Sequence, residues 1–186
     1  MKQLGILDSA FINLEQTNTP QHGAGSQTFN EVFGLTRNPW NPDYTPGGSS
    51  GGAAVAIATG MSALADGSDY GASLRNPASF TNTVGFRPSP GRIPSWPSKD
   101  VWAHHSVHGP IARTVEDVAL FMAATAGPDH RIPISIDEPG GVFATPLAAD
   151  WSGVPIAWSP DLGGLPIDPA VTKALAPARS ILTDIG

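Results

Sequence analysis

The sequence predicts an α/β chain, and three observations carry that prediction. Apolar residues recur three and four apart over 4–15 and again over 115–125, an Ala-rich run follows directly on a Gly/Ser loop near residue 50, and short apolar runs at 62–66, 84–86 and 154–158 fit strands. Helices alternating with strands bury a sheet against helices.

Taken in order, the first helix rests on Leu4, Ile6, Leu7, Ala10, Phe11 and Leu14. From Thr17 to Pro46 the chain is polar, with prolines at 20, 39, 42 and 46, which predicts a long irregular segment. Loops of that length are functional or packed under other elements. Gly51 to about Gly60 is expected as a buried helix of small side chains, and Ser62 to Asp66 as a strand delivering the loop Gly67 to Ser73. Leu74 to Phe80 reads as a short helix ended by Asn82, and Val84 to Phe86 as a short strand. Pro88, Pro90, Pro94 and Pro97 then forbid regular structure until about Val101.

Thr114 heads the clearest helix: a hydroxyl at the N-cap, Glu116 and Asp117 in the first turn, and Gly127-Pro128 as its stop. Residues 128–152 form a Pro-rich connection and Val154 to Trp158 a buried strand. Asp168-Pro169 begins a last helix that runs to Leu182 or beyond.

The 186 residues suffice for one domain with a sizeable core. Only 14% are charged, low for a small free-standing globule, so the chain is expected to be a piece of something larger. Lack of cysteine excludes disulfides, thiolate nucleophiles and Cys-based zinc sites. A net charge of −6 with no Lys/Arg cluster argues against nucleic acid as a direct partner. No apolar run approaches a membrane span, and the N-terminus does not fit a signal peptide. A cytoplasmic, soluble protein is expected.

Two serine-bearing Gly loops carry the candidate chemistry, TPGGSSGGAA from Thr45 to Ala54 and GSDYGASLR from Gly67 to Arg75. A Gly/Ser run alone also fits a flexible linker. The unbroken step into Ala53 and Ala54 favours a helix cap instead, with amides and the positive helix end aimed at a ligand. A helix followed by a turn and a strand returns the chain near its start, so Ser49 or Ser50 is expected to face Ser73. Two hydroxyls in contact serve catalysis when one is a nucleophile and the other relays its proton.

Other motifs fit less well. Gly47-x-Ser49-x-Gly51 matches a nucleophile elbow, but the Pro-rich residues 41–46 cannot form the strand that motif requires. A P-loop needs Lys where Ala53 stands. His104, His105 and His108 have no carboxylate neighbours in sequence, so loop hydrogen bonding is favoured over metal binding. The five tryptophans, two of them beside proline (Trp40 and Trp96), are expected as plugs beneath loops, some lining a substrate tunnel.

At the two loops the sequence resembles the amidase signature family. Its marker is a GGSSGGS-type loop, an Ala-rich helix and a G-[ST]-D-x-G-G-S-x-R-x-P loop, here Gly47 to Ala53 and Gly67 to Pro77. Thr17 to Pro20, Val84 to Arg92, and Gly109 to Thr114 with Asp117 are similar to family segments. The resemblance implies part of the amidase-signature fold, a mixed β-sheet flanked by α-helices, over residues 17–186, with 1–16 atypical. It further implies amide hydrolysis through an acyl-serine, with Ser73 as nucleophile and Ser49, after a cis peptide, as bridging serine. Tyr70, Gly71 and Ala72, with Ser73's own amide, would form the oxyanion hole, and Ser50, Asp69 and Arg75 would brace the loops. No metal or organic cofactor is implied. The partner is a small-molecule amide, with no membrane and no direct nucleic-acid contact, and a homodimer is left open.

Two positions depart from the pattern. Ala72 stands where the family has Gly, which requires a negative φ there. The family's catalytic lysine lies upstream of the Thr-Asn motif, whereas here Lys2 alone precedes the loop, in surroundings that do not match. An incomplete or rearranged domain, lacking the Lys segment and the C-terminal portion and with low or no activity by itself, is therefore expected. The alternatives are the amidase-type subunit of a glutamyl/aspartyl-tRNA amidotransferase, an inactive amide- or carboxylate-binding remnant, and an esterase pairing Ser49 with one of the three histidines.

Overall fold

The computed structural model describes residues 14–185. The helix expected over 4–15 thus lies almost wholly outside the described residues, and Leu14 and Glu15 are irregular. The chain divides into two units, Met1–Thr145 and Pro146–Gly186.

In the first unit the polar segment before the first Gly loop is irregular, except for a 3-10 turn (Gln21–Gly23) and a small antiparallel pair not anticipated from sequence. The pair joins β1 (Phe29–Asn30) to β2 (Gly34–Leu35), and two residues a side give no periodicity to read. Then follow α1 (Gly51–Ala58), β3 (Leu64–Asp69), α2 (Arg75–Thr81), β4 (Val84–Gly85), β5 (Val107–Ala112) and α3 (Val115–Thr125), with a 3-10 helix at Gly140–Ala144. Asn82 ends α2 in the left-handed region at φ 57°. Thr114 Oγ1 accepts the Asp117 amide at 3.1 Å, so the N-cap of α3 forms as its sequence dictates.

The strands make one antiparallel sheet in the order β3-β5-β4, so the last strand before α3 is the central one. No element is predicted over 107–112 from sequence, because Gly109-Pro110 is weak strand chemistry. Tertiary pairing overrides it: β5 is aligned with the whole of β3, from Leu64↔Ala112 to Asp69↔Val107. The same pairing draws Gly67, Ser68 and Asp69, expected in a loop, into β3.

Successive strand residues face opposite ways, and the sheet is packed on both sides. Ala65 and Ile111 meet Ala53, Ala54 and Ile57 of α1 and Leu74, while their neighbours Leu64 and Ala112 meet Val118, Phe121 and Met122 of α3. An Ala-rich helix lets α1 lie close to the sheet. Arg113, just past β5, donates to the carbonyls of Ile57 and Ser62, both at 3.1 Å, and satisfies the open C-terminal end of α1. The α/β class expected from sequence is the one observed.

The second unit holds irregular chain and α4 (Pro169–Ile185), opened by Asp168 Oδ1 accepting the Ala170 amide at 2.8 Å. Val154 to Trp158 is not the buried strand expected. It is irregular and exposed: Pro155 removes a ladder donor from its middle, and no strand among the described residues pairs with it. Among the described residues no helix is long and apolar enough to cross a membrane.

Ile111 is fully buried at the centre of the sheet. Ile111→Ala is expected to cost about 2–5 kcal/mol and Thr114→Ala about 1 kcal/mol in urea unfolding. Equal costs would show that the sheet core does not dominate stability.

Candidate active site

The first Gly loop is buried between the sheet and the polar segment that precedes it. The Gly48–Ser49 peptide is cis, and Ser49 and Ser50 are both buried. Thr28, also buried, donates its hydroxyl to the Gly47 carbonyl at 2.8 Å. Asn18 donates to Thr36 Oγ1 at 2.9 Å, tying the start of the polar segment to the residue after β2. Thr28 carries no signal in sequence beyond the length of the segment that holds it.

Ser50 joins the first loop to the second. Its amide donates to the Ser73 carbonyl at 3.2 Å and its hydroxyl to the Ser68 carbonyl at 3.4 Å. This approach depends on Gly67, where a Cβ would sit 2.4 Å from Ser50 Oγ. Ser49 and Ser73 are thereby brought to adjoining segments, with Ser50 making the join; no hydrogen bond links the Ser49 and Ser73 hydroxyls directly.

The second loop is wound around Asp69, whose side chain is wholly buried at the end of β3. Oδ1 accepts the Ala72 amide at 2.9 Å and Oδ2 the Leu74 amide at 3.2 Å. Arg75 closes a bidentate pair, Nε to Oδ2 and Nη2 to Oδ1, each at 3.0 Å. Burial pushes the Asp69 carboxyl up, but the Arg75 hydrogen bonds and the Leu74 and Ala72 amides outweigh it and hold the group down at about 2. The same bonds raise the Arg75 guanidinium above its ordinary value.

Ala72 does not take the negative φ expected of it. Its φ is +76°, the left-handed region, because its amide is drawn onto Asp69 while its carbonyl accepts the Asn76 amide at 2.7 Å. A Cβ is therefore carried here at a positive φ.

Arg87 is not singled out by the sequence. Its Nη1 donates to the Asp69 carbonyl and, at 3.3 Å, to Oδ1, and its Nη2 donates to the His105 carbonyl at 3.1 Å. The His105 ring lies 5.7 Å from that of Tyr70 and 4.2 Å from that of His104. Tyr70 and Gly71 are exposed and Ser73 half-buried, so this end of the sheet is open to solvent.

His108 is separate. It pairs with Ser68 in β5, on the sheet face turned to α3 and away from Ser50, with Ser95 Oγ 3.4 Å from its Nε2. Burial pushes its imidazole down, opposed by Asp66 and the Gly67 carbonyl, and burial pushes the Asp66 carboxyl up against the pull of His108. An esterase pairing of Ser49 with His108 is therefore not built. Among the described residues no group of His, Cys, Asp or Glu is gathered closely enough to hold a metal ion. The tryptophans are not core plugs: Trp40 is 65% exposed, bonded through its indole N–H to the Thr81 carbonyl, and Trp102, Trp151 and Trp158 are exposed too.

A family model described as Amidase matches residues 7–186. The chain is 39% identical over 173 residues to an acylamidase of Rhodococcus erythropolis, covering 93% of this chain and 36% of that one. It is 40% identical over 179 residues to one subunit of the glutamyl-tRNA(Gln) amidotransferase of Desulforapulum autotrophicum, covering 92% and 36%. Its structure is similar to that of a bacterial aryl acylamidase of the amidase signature enzymes, with a TM-score of 0.89 and 37% identity over 98% of this chain and 38% of the other. The chain thus spans little more than a third of the length of these relatives.

The loop geometry yields two expectations. Ala72→Gly relieves a Cβ at positive φ and is expected to raise unfolding free energy by about 1 kcal/mol in urea titration; a loss of stability would contradict the reading. The depressed Asp69 carboxyl gives stability that is complete above the ordinary carboxylate range and is lost as pH falls from about 4 through about 2. Unfolding measured across that window should lose about 2 kcal/mol, and Asp69→Asn should flatten the slope.

Proposed function

Since the chain belongs to the amidase family, we propose that its two Gly/Ser loops form the acyl-transfer centre of an amide-hydrolysing site. The observation that carries this reading is the bond from Ser50 N–H to the Ser73 carbonyl, which sets the loop of Ser49 against the loop of Ser73. Ser73 Oγ attacks the amide carbonyl carbon and its proton leaves through Ser49. The C–N bond then breaks, ammonia or an amine departs with a proton, and water hydrolyses the acyl-serine to a carboxylic acid and free Ser73.

The carbonyl oxygen becomes an anion in the first step and needs donors fixed in advance. Ala72 N–H is already given to Asp69, so we assign this work to the amides of Tyr70, Gly71 and Ser73. Ser50, Asp69 and Arg75 hold the two loops in shape. In the family pattern the base is a lysine upstream of the first loop. We give that role to neither Lys99 nor Lys173, the lysines among the described residues, both of which lie downstream.

The substrate class is a small-molecule amide and the compartment the cytoplasm, with residues 17–186 contributing to one amidase-signature domain. The 40% identity to an amidotransferase component favours a second reading, in which the same centre releases ammonia for a partner protein. Ammonia release that depends on glutamine and on added partner subunits would select that reading over simple amide hydrolysis.

An aryl fluorophosphonate is expected to add to Ser73, located by peptide mass. Ser73→Ala should abolish the adduct, and Ser49→Ala should slow it. An adduct on Ser49, or labelling indifferent to Ser73→Ala, overturns the assignment.

A further inference from the structure

Two arginines reach the buried Asp69, and they do different things. Arg75 bonds its carboxylate oxygens alone and its side chain is 53% exposed. Arg87 is only 24% exposed and also takes main-chain oxygens, the carbonyl of Asp69 through Nη1 and that of His105 through Nη2 at 3.1 Å. One guanidinium therefore connects the end of β4, the end of β3 and the stretch that leads into β5.

The bond to the Asp69 carbonyl fixes a peptide plane. In a trans peptide the C=O and the following N–H point in opposite directions. Holding the Asp69 oxygen on Arg87 turns the Tyr70 N–H away from it. Asp69's carboxylate meanwhile draws the Ala72 and Leu74 amides inward. The amides are thus sorted: Ala72 and Leu74 are spent inside the loop, while the Tyr70 N–H points opposite to the oxygen that Arg87 holds. The same guanidinium also holds His105, whose ring stands against that of Tyr70.

We infer that Arg87 is a positioning residue for acyl transfer: it orients the Tyr70 amide as an oxyanion donor and fixes the His105 stretch beside the Tyr70 ring. The inference rests on Ser73 as the nucleophile. A planar guanidinium with a fork of donors can serve two carbonyls and a carboxylate together, whereas a lysine ammonium presents a point charge with no such fork.

The test is inactivation of the full chain by an aryl fluorophosphonate, with the rate resolved into its saturating value and the half-saturating concentration, for the unsubstituted chain, Arg87→Ala and Arg87→Lys. Thermal melting is followed alongside. Loss of one oxyanion donor costs roughly 10²–10³ in rate, so its misorientation is expected to lower the saturating rate of Arg87→Ala by about tenfold or more. The half-saturating concentration should change less than about threefold, methylguanidinium should restore part of the rate, and Arg87→Lys should fall between. If Arg87→Ala does not fold, Arg87→Lys carries the comparison. A folded variant that labels Ser73 at the unsubstituted rate overturns the inference and leaves Ser73 in place. So does a smaller labelled fraction at unchanged rate, which is a purely structural effect. An unsubstituted chain never labelled at Ser73 removes both readings.

Discussion

A carboxylate with no exposed surface organises the functional end of this molecule. A buried charge is tolerated when its oxygens are filled by donors of good geometry, and Asp69 finds them in two arginines and in amides of its own loop. Because the amides come from three and five residues further on, satisfying the charge and winding the loop are one event. The left-handed turn at Ala72, the carbonyl of Ser73 presented to Ser50 and the start of α2 at Arg75 all follow from it. The sheet brings Asp69 to this position, since β3 ends where β5 begins.

The hydroxyl pair sits at the meeting of two kinds of order. Ser49 and Ser50 are buried; Ser50 is packed against Gly67 and bonded to the Ser68 and Ser73 carbonyls, while Thr28 holds the Gly47 carbonyl of the same loop. Ser73 is held by hydrogen bonding, through its carbonyl and through Asp69's grip on its neighbours Ala72 and Leu74.

Much of this is legible in the residues. The first Gly/Ser loop, the Ala-rich helix after it and the Thr114 cap are local signals, each contained within a dozen residues, and each appears where the sequence places it. What is not legible depends on distant partners. β5 contains Gly109-Pro110 and becomes a strand because β3 lies beside it; Val154 to Trp158 has the apolar content of a strand and finds no partner. Arg87 looks like any arginine before a proline until folding brings Asp69 and His105 to its ends. The sign of φ at Ala72 escapes a reading of sequence because a steric rule for one residue is set against a carboxylate three positions away, and the carboxylate wins.

The composition of the central strand also bears on how unfolded copies of this chain behave towards one another. Stacked cross-β assembly favours short segments of high strand propensity, without proline and with few glycines. Val107 to Ala112 reads VHGPIA, a glycine and a proline at its middle, and its partner β3 carries two aspartates in LADGSD. The strands that hold the native sheet together thus have little capacity to recruit like segments from a neighbour. Their pairing is covered on one face by α1 and on the other by α3.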